Sequence, residues 1–354
     1  MHRIDAFLEL LVKQNGSDLH LSTGNPPRLR LYGELFAIKY RELTDEETTA
    51  LIYDIMPEDA RRMFEERHGA DFAYSVPGLA RFRVNVFRHL RGIGVVLRAI
   101  PSTVKSLEEL HLPPVLKTLC RVRKGFILVT GPTGSGKSTT LAAMIDFINQ
   151  ERKGHIITIE DPVEFVHRQK YCLLSQREVG THTRSFAAAL HSALREDPDA
   201  ILVGELRDLE TMSLAVTAAE TGVLVFGTLH TNGAAATIDR IINVFPAADQ
   251  PRIRTMLSTS LAGIISQQLV RRADGKGRLA VLEILLSTPA VANLIREGKP
   301  EQIVNVIQSS AALGMQSLDG VLRTLIDTKQ ITGEEAYNKA IDKKAFAALR
   351  ESEI

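Results

Sequence analysis

The chain has 354 residues, enough for two domains that each bury a core. Lys and Arg number 43 against 42 for Asp and Glu; a net charge of +1 argues against a nucleic-acid binder held by phosphate neutralisation. With 44% hydrophobic and 24% charged residues it is a globular chain, and with two cysteines, Cys120 and Cys172, it encodes no disulfide framework or zinc ribbon.

The first stretch, MHRIDAFLELLVKQN, places Ile4, Leu8, Leu11 and Val12 at helical spacing with charges between them. That is an amphipathic helix and not a signal sequence. No apolar run reaches the roughly 18 residues of a membrane span, so a soluble, cytoplasmic protein without direct membrane insertion is expected. SDLHLS (17–22) and PRLRLYGELFAI (27–38) read as strands. TDEETTALIYDIM (44–56) reads as a helix with Thr44 as N-cap and Glu47 at the capping-box position. ARFRVNVFR (80–88) alternates strictly and GVVLRAI (94–100) follows as another strand. Residues 1–100 therefore form a small α/β domain. Pro101, Pro113 and Pro114 punctuate an expected linker and hinge over 101–120.

From residue 125 short apolar runs alternate with amphipathic segments. FILVT (126–130), HIITIE (155–160), DAILVGE (199–205) and VLVFGTLH (223–230) read as buried strands. The helices between them cover Leu141–Met144–Ile145–Ile148, RSFAAALHSALR (184–195) and LETMSLAVTAAE (209–220), the last stopped by Gly222. Such alternation predicts a parallel sheet with right-handed crossovers over 121–286, an α/β core. Residues 287–354 are expected to be mostly helical.

Four boxes carry chemistry. GPTGSGKS (131–138) fits G-x-x-x-x-G-K-[ST] between a strand and a helix. Gly131, Gly134 and Gly136 let N–H groups converge on phosphate oxygens; Thr133, Ser135 and Thr139 complete the loop. Lys137 neutralises phosphate charge and Ser138 offers a hydroxyl to Mg²⁺. ILVGE ends in Glu205, either a carboxylate for Mg²⁺ or a surface acid at a strand end, with Gly204 where Asp is more usual in P-loop enzymes. TIEDPVEF (158–165) sets Glu160, Asp161 and Glu164 at a strand end, either to activate water or as a solvated loop. GTLHTNGA ends a strand in His230, which either senses the γ-phosphate or is structural. Five arginines, Arg81, Arg83, Arg88, Arg91 and Arg98, crowd the last strands of the first domain. They read as fingers for a transferring phosphoryl group, as a nucleic-acid face or as a charged strand edge.

These boxes, in this order, resemble the secretion ATPases of type II/type IV systems, a hexameric branch of the RecA-like P-loop ATPases, and the resemblance covers nearly the whole chain. It implies a RecA-like ATPase core, a PAS-like N-terminal domain, and ATP and Mg²⁺ as ligands. It implies that Glu164 activates water, that Ser138 serves Mg²⁺ and that Glu205 does so directly or through water, and that His230 is functional. Arg83 and Arg98 match the family's inter-domain arginines, with Arg195 as a further phosphate sensor. QQLVRRADGKGRL lacks the four-cysteine insert of many assembly members, and AVANLIRE (290–297) resembles the retraction branch's AIRNLIRE, retaining Asn293, Leu294, Ile295, Arg296 and Glu297 but with Ala292 in place of Arg. As a bare helix that segment is only a packing face. The resemblance thus implies a hexameric motor for type IV pilus retraction and twitching motility. Nucleotide-driven rotation between its domains would act on an inner-membrane pilus platform protein reached from the cytoplasmic face. Alternatives are a pilus-extension or type II secretion ATPase, a RecA-like DNA translocase, and a nucleotide binder that does not hydrolyse.

Overall fold

The computed structural model describes residues 2–31, 33–100 and 103–350. The chain divides into two compact units, Met1–Thr103 and Val104–Ile354.

The first unit contains helix α1 (Asp5–Lys13), strands β1 (Asp18–Ser22), β2 (Arg28–Leu31) and β3 (Glu34–Ala37), and helices α2 (Asp45–Tyr53) and α3 (Glu58–Arg67). Strands β4 (Gly69–Val76), β5 (Ala80–His89) and β6 (Gly92–Ile100) follow. All pair antiparallel in the order β3-β2-β1-β6-β5-β4. The Thr44–Glu47 capping box forms at the start of α2. Residues 27–38, expected as one strand, are two, because Gly33 turns the chain back at φ +91°. Helix α3 and strand β4 fill a stretch to which no element was assigned from sequence. Strict alternation in β5 sends Phe82, Val84 and Val86 into a core with Ile4, Leu8, Leu97 and Phe64. Arg81 and Arg83 lie on the other face.

The second unit opens with helix α4 (Val115–Arg121) and continues through β7 (Gly125–Thr130), α5 (Lys137–Glu151), β8 (His155–Glu160), β9 (Leu173–Glu178), α6 (Phe186–Ala193), β10 (Ala200–Val203), α7 (Leu209–Glu220), β11 (Leu224–Leu229), α8 (Ala234–Val244), α9 (Gln250–Ser260), β12 (Leu261–Arg271) and β13 (Arg278–Leu286). The sheet order is β13-β12-β7-β11-β10-β8-β9, parallel except for the β12–β13 hairpin at one edge. Strands buried on both faces read as unbroken apolar runs: all six residues of β7 and all six of β11 are buried. One face packs α6 to α9, the other α4 and α5.

Two expectations change here. Most of the anticipated 101–120 linker is packed structure: Leu107, Leu112, Leu116 and Leu119 join the core beneath α5, so prolines that looked like punctuation sit inside a folded segment. Pro101 lies outside the described residues. Strand β9, an added edge beyond β8, was not expected.

The C-terminal helices α10 (Pro289–Glu297), α11 (Ile303–Ser309), α12 (Leu318–Asp327), α13 (Gly333–Lys339) and α14 (Lys343–Arg350) pack onto this unit. Val291, Ile295, Ile303 and Ile307 extend the α8–α9 side; Leu318, Leu322 and Phe346 close over Val270 and Val281. Asn293, Arg296 and Glu297 stay exposed on α10, with Leu294 half-buried. Among the described residues, no helix is long and apolar enough to cross a membrane.

Candidate functional site

The carboxyl ends of β7, β8, β10 and β11 open onto one cavity of about 390 Å³, where open α/β sheets bind ligands. Its lining includes Thr133, Gly134, Ser135, Gly136, Lys137, Ser138 and Thr139, together with Glu160, Asp161, Glu164, Glu205 and His230. The four boxes, separated by up to a hundred residues in sequence, therefore converge.

The loop after β7 has left-handed glycines at Gly131 (φ +138°), Gly134 (φ +77°) and Gly136 (φ +87°), and the last of these opens α5. A loop of this shape delivers backbone N–H groups and a helix N-terminus to an anion. Lys137 Nζ donates to the carbonyls of Gly131 (2.8 Å) and Pro132 (3.1 Å). Burial pushes its pKa below the usual ammonium value, while the negative charges of Glu205 and Glu164 pull it back up. The hydroxyl of Ser135 is buried without a hydrogen-bond partner. A cationic, N–H-rich cradle of this size fits a polyphosphate.

The three acids after β8 differ. Burial raises the pKa of Glu160, against hydrogen bonds from the Thr158 hydroxyl, the Gln176 amide and the Glu164 N–H. It is an internal acceptor that holds the loop. Glu164 and Asp161 are exposed to the cavity. The loop is also fixed from β9: Glu178, buried, accepts from Val163 N–H at 3.0 Å, and Gln176 donates to the Phe165 carbonyl at 2.8 Å. Glu164 sits on a backbone fixed on both sides and presents its carboxylate to the cavity, where its charge acts on Lys137; Asp161 lies within electrostatic reach of Arg207.

Glu205 has both oxygens engaged. Arg207 donates to one at 2.6 Å and His230 Nε2 lies 3.2 Å from the other. Arg207 foremost, then His230 and Lys137, outweigh burial and hold its pKa below the usual carboxylate value. His230 is thus tied to the Glu205 carboxylate and is not a core histidine.

Some expected residues lie elsewhere. Arg195 folds onto His191 at the end of α6, bonding its carbonyl at 3.0 Å, and does not line the cavity. Arg83 and Arg98 belong to the first unit, directly opposite one another on β5 and β6. Arg98 Nε donates to buried Asp18 at 2.8 Å; Arg83 sits 3.9 Å from Asp71. Three lining residues, Phe186, Leu269 and Arg278, carry no motif that would have singled them out.

Comparison with known proteins agrees with this geometry. The model of the family described as "Type II/IV secretion system protein" matches residues 1–276. The chain belongs to this family. It is 54% identical over 337 residues to the type IV pilus retraction ATPase PilT of Pseudomonas aeruginosa, covering 95% of this chain and 98% of that one. It is 51% identical to a twitching motility protein of Neisseria gonorrhoeae, covering 91% of this chain and 86% of that one. A crystal structure of the pilus retraction motor PilT with bound ADP superposes with a TM-score of 0.91 at 45% identity, covering 98% of both chains. The ATPase DotB of Legionella pneumophila gives 0.80 at 30% identity, covering 94% of both.

Proposed function

We propose that this chain is the ATP-hydrolysing motor of type IV pilus retraction and works as a hexameric ring. The observation that carries the reading is the meeting of Lys137, Ser138, Glu164, Glu205 and His230 around one cavity of about 390 Å³. Its likeness over nearly its whole length to a retraction ATPase supplies the direction of the motor.

The phosphates of ATP lie along 131–138, with Lys137 shared between the β and γ groups. Glu164 orients water and accepts its proton. Catalysis is positioning plus stabilisation of charge on the transferring group. The Ser138 hydroxyl and the Glu205 carboxylate are hard oxygen donors suited to Mg²⁺, which when bound neutralises β- and γ-oxygen charge. Glu205 would serve the ion while Arg207 and His230 hold its carboxylate in place. His230 reports γ-phosphate loss to Glu205 and Arg207. Arg83 or Arg98, from a first unit, adds positive charge at the γ-phosphate, and its release on hydrolysis permits domain rotation. The partner is a pilus platform protein at the inner membrane, and the exposed Asn293, Arg296 and Glu297 of α10 belong to the retraction-specific surface.

Glu164→Gln tests the chemistry. Phosphate release should fall by about two orders of magnitude or more while nucleotide binding persists; wild-type turnover in that variant sinks the assignment. Deleting the gene tests direction: a retraction motor leaves piliated cells that cannot twitch, whereas bald cells mean an extension motor.

A further inference from the structure

Strand β12 runs beside β7 and pairs Ser266 with Thr130, the last residue before the phosphate loop. Successive strand side chains point to opposite faces. Ser266 faces α8, where its Oγ accepts from the Gly233 N–H at 2.8 Å, in the turn that follows His230. Gln267 faces the other way, into the phosphate loop, and is only 2% exposed. Its Nε2 donates to the Ser135 carbonyl at 2.7 Å and its Oε1 accepts from the Thr140 hydroxyl at 2.7 Å. A carbonyl can only accept, so the amide nitrogen must face Ser135 and the orientation of the side chain is determined.

The loop is wrapped closely on this residue. A Cβ on Gly131 would fall 2.1 Å from the Gln267 carbonyl oxygen, and one on Gly136 would fall 2.8 Å from Nε2. The glycines at these positions therefore leave room for Gln267 as well as for phosphate. Its two side-chain bonds straddle Gly136, Lys137, Ser138 and Thr139, the segment proposed to meet the β- and γ-phosphates.

We propose that Gln267 is the positioning residue of the phosphate loop. It holds the Ser135 carbonyl turned away from the anion site and anchors the first turn of α5, so the loop N–H groups point inward before nucleotide arrives. Without it, the 135–136 peptide is free to rotate, and each binding event must restore the loop at a cost in affinity. Gln267 touches no reacting atom, so its effect falls on binding and not on the hydrolytic step. The inference rests on the nucleotide-binding reading of the site.

The test is equilibrium binding of ADP and steady-state ATP hydrolysis by the full chain. The variants are Gln267→Met, which keeps volume and loses both hydrogen bonds, and Gln267→Glu, which keeps the Thr140 bond but sets a carboxylate against the Ser135 carbonyl. The ADP dissociation constant and the KM for ATP should both rise about tenfold or more, with kcat at saturating ATP within about threefold of wild type. At pH 8 Gln267→Glu should be the weaker binder. Lowering the pH should restore part of its affinity relative to wild type, because a protonated carboxyl can donate to Ser135, while Gln267→Met shows no such recovery. Thr140→Val removes one anchor and should weaken ADP binding about two- to fivefold; it decides the matter if the Gln267 variants fail to fold. Affinity within twofold of wild type in a variant of normal melting temperature overturns the proposal, as does a fall in kcat with unchanged KM. If wild type itself binds no ADP, the nucleotide reading fails instead.

Discussion

Gly204→Ala probes how closely the ends of β8 and β10 must approach. The Gly204 N–H donates to the Ile159 carbonyl at 2.7 Å, and its own carbonyl accepts from the Thr228 hydroxyl. A Cβ built on Gly204 would lie 3.1 Å from the Ile159 carbonyl oxygen and 3.2 Å from Glu160 Cα. Both are backbone atoms and cannot swing aside. Ordinary contact is about 3.5–4.0 Å, so the ends of β8 and β10 must part by roughly 0.3–0.5 Å. Overpacking of this kind costs about 1–3 kcal/mol, which lowers the melting temperature of a unit this size by about 2–12 °C. The same shift moves Glu205 relative to Glu164. A misplacement of about 1 Å costs on the order of 10²-fold in rate, so a third to a half of it should cost about 5–10-fold. Phosphate release at saturating ATP, alongside thermal melting, measures both. Loss should appear in kcat with KM near wild type, because residues 131–138 are untouched. Gly204→Asp should be worse, since it adds a carboxylate against the Ile159 carbonyl. A Gly204→Ala protein with wild-type kcat and melting temperature would refute this account of why glycine stands there.

The two arginines of the first unit should separate by stability. Arg98→Ala strips a partner from buried Asp18 and should cost about 1–3 kcal/mol, whereas Arg83→Ala breaks a loose surface pair worth about 0–1 kcal/mol. Denaturant unfolding of both variants checks this, and equal midpoints would contradict it. Burial alone would raise the Asp18 pKa, but Ser17 and Arg98 outweigh it and the net shift is downward from 3.8. Its stabilisation is thus present at neutral pH and lost as pH falls through the depressed value, so the Arg98→Ala deficit should shrink in acid. Glu283 behaves oppositely: burial raises its pKa above 4.5 despite the N–H groups of Ala234 and Leu318. The native state then holds the extra proton, and stability falls as pH rises from 4.5 towards the raised value. The stability of wild type relative to Glu283→Gln should decline over that window in urea unfolding at stepped pH; parallel profiles would count against it.

What could be read in the sequence was what the chain settles locally. The phosphate loop is complete within eight residues, and the Thr44–Glu47 box within four. The residue pattern alone could not rank the three acids at 160–164, and only the family resemblance singled out Glu164, because their difference lies in β9, an edge strand whose Gln176 and Glu178 secure the loop from outside. Gln267 was equally hidden, since its partners Ser135 and Thr140 are more than 120 residues away and meet it only through the β12–β7 pairing. The leucines at 107, 112, 116 and 119 were masked by neighbouring prolines, and only packing shows them as core.

Strand order explains why these hidden residues matter. The boxes follow β7, β8, β10 and β11 in sequence, but the sheet places β11 and β10 between β7 and β8. Glu205 and His230 therefore arise near the phosphate loop and need only a short reach. Glu164 starts three strands from β7, about 14 Å away at the usual spacing. Its carboxylate reaches the shared cavity only if residues 161–165 lean back across the top of β10. A loop in that posture will not hold itself, and the bonds from Glu160, Gln176 and Glu178 hold it there. The placing of the carboxylate proposed to activate water is thus carried by the edge of the sheet furthest from the phosphate loop, and substitutions on β9 should lower kcat without touching that loop.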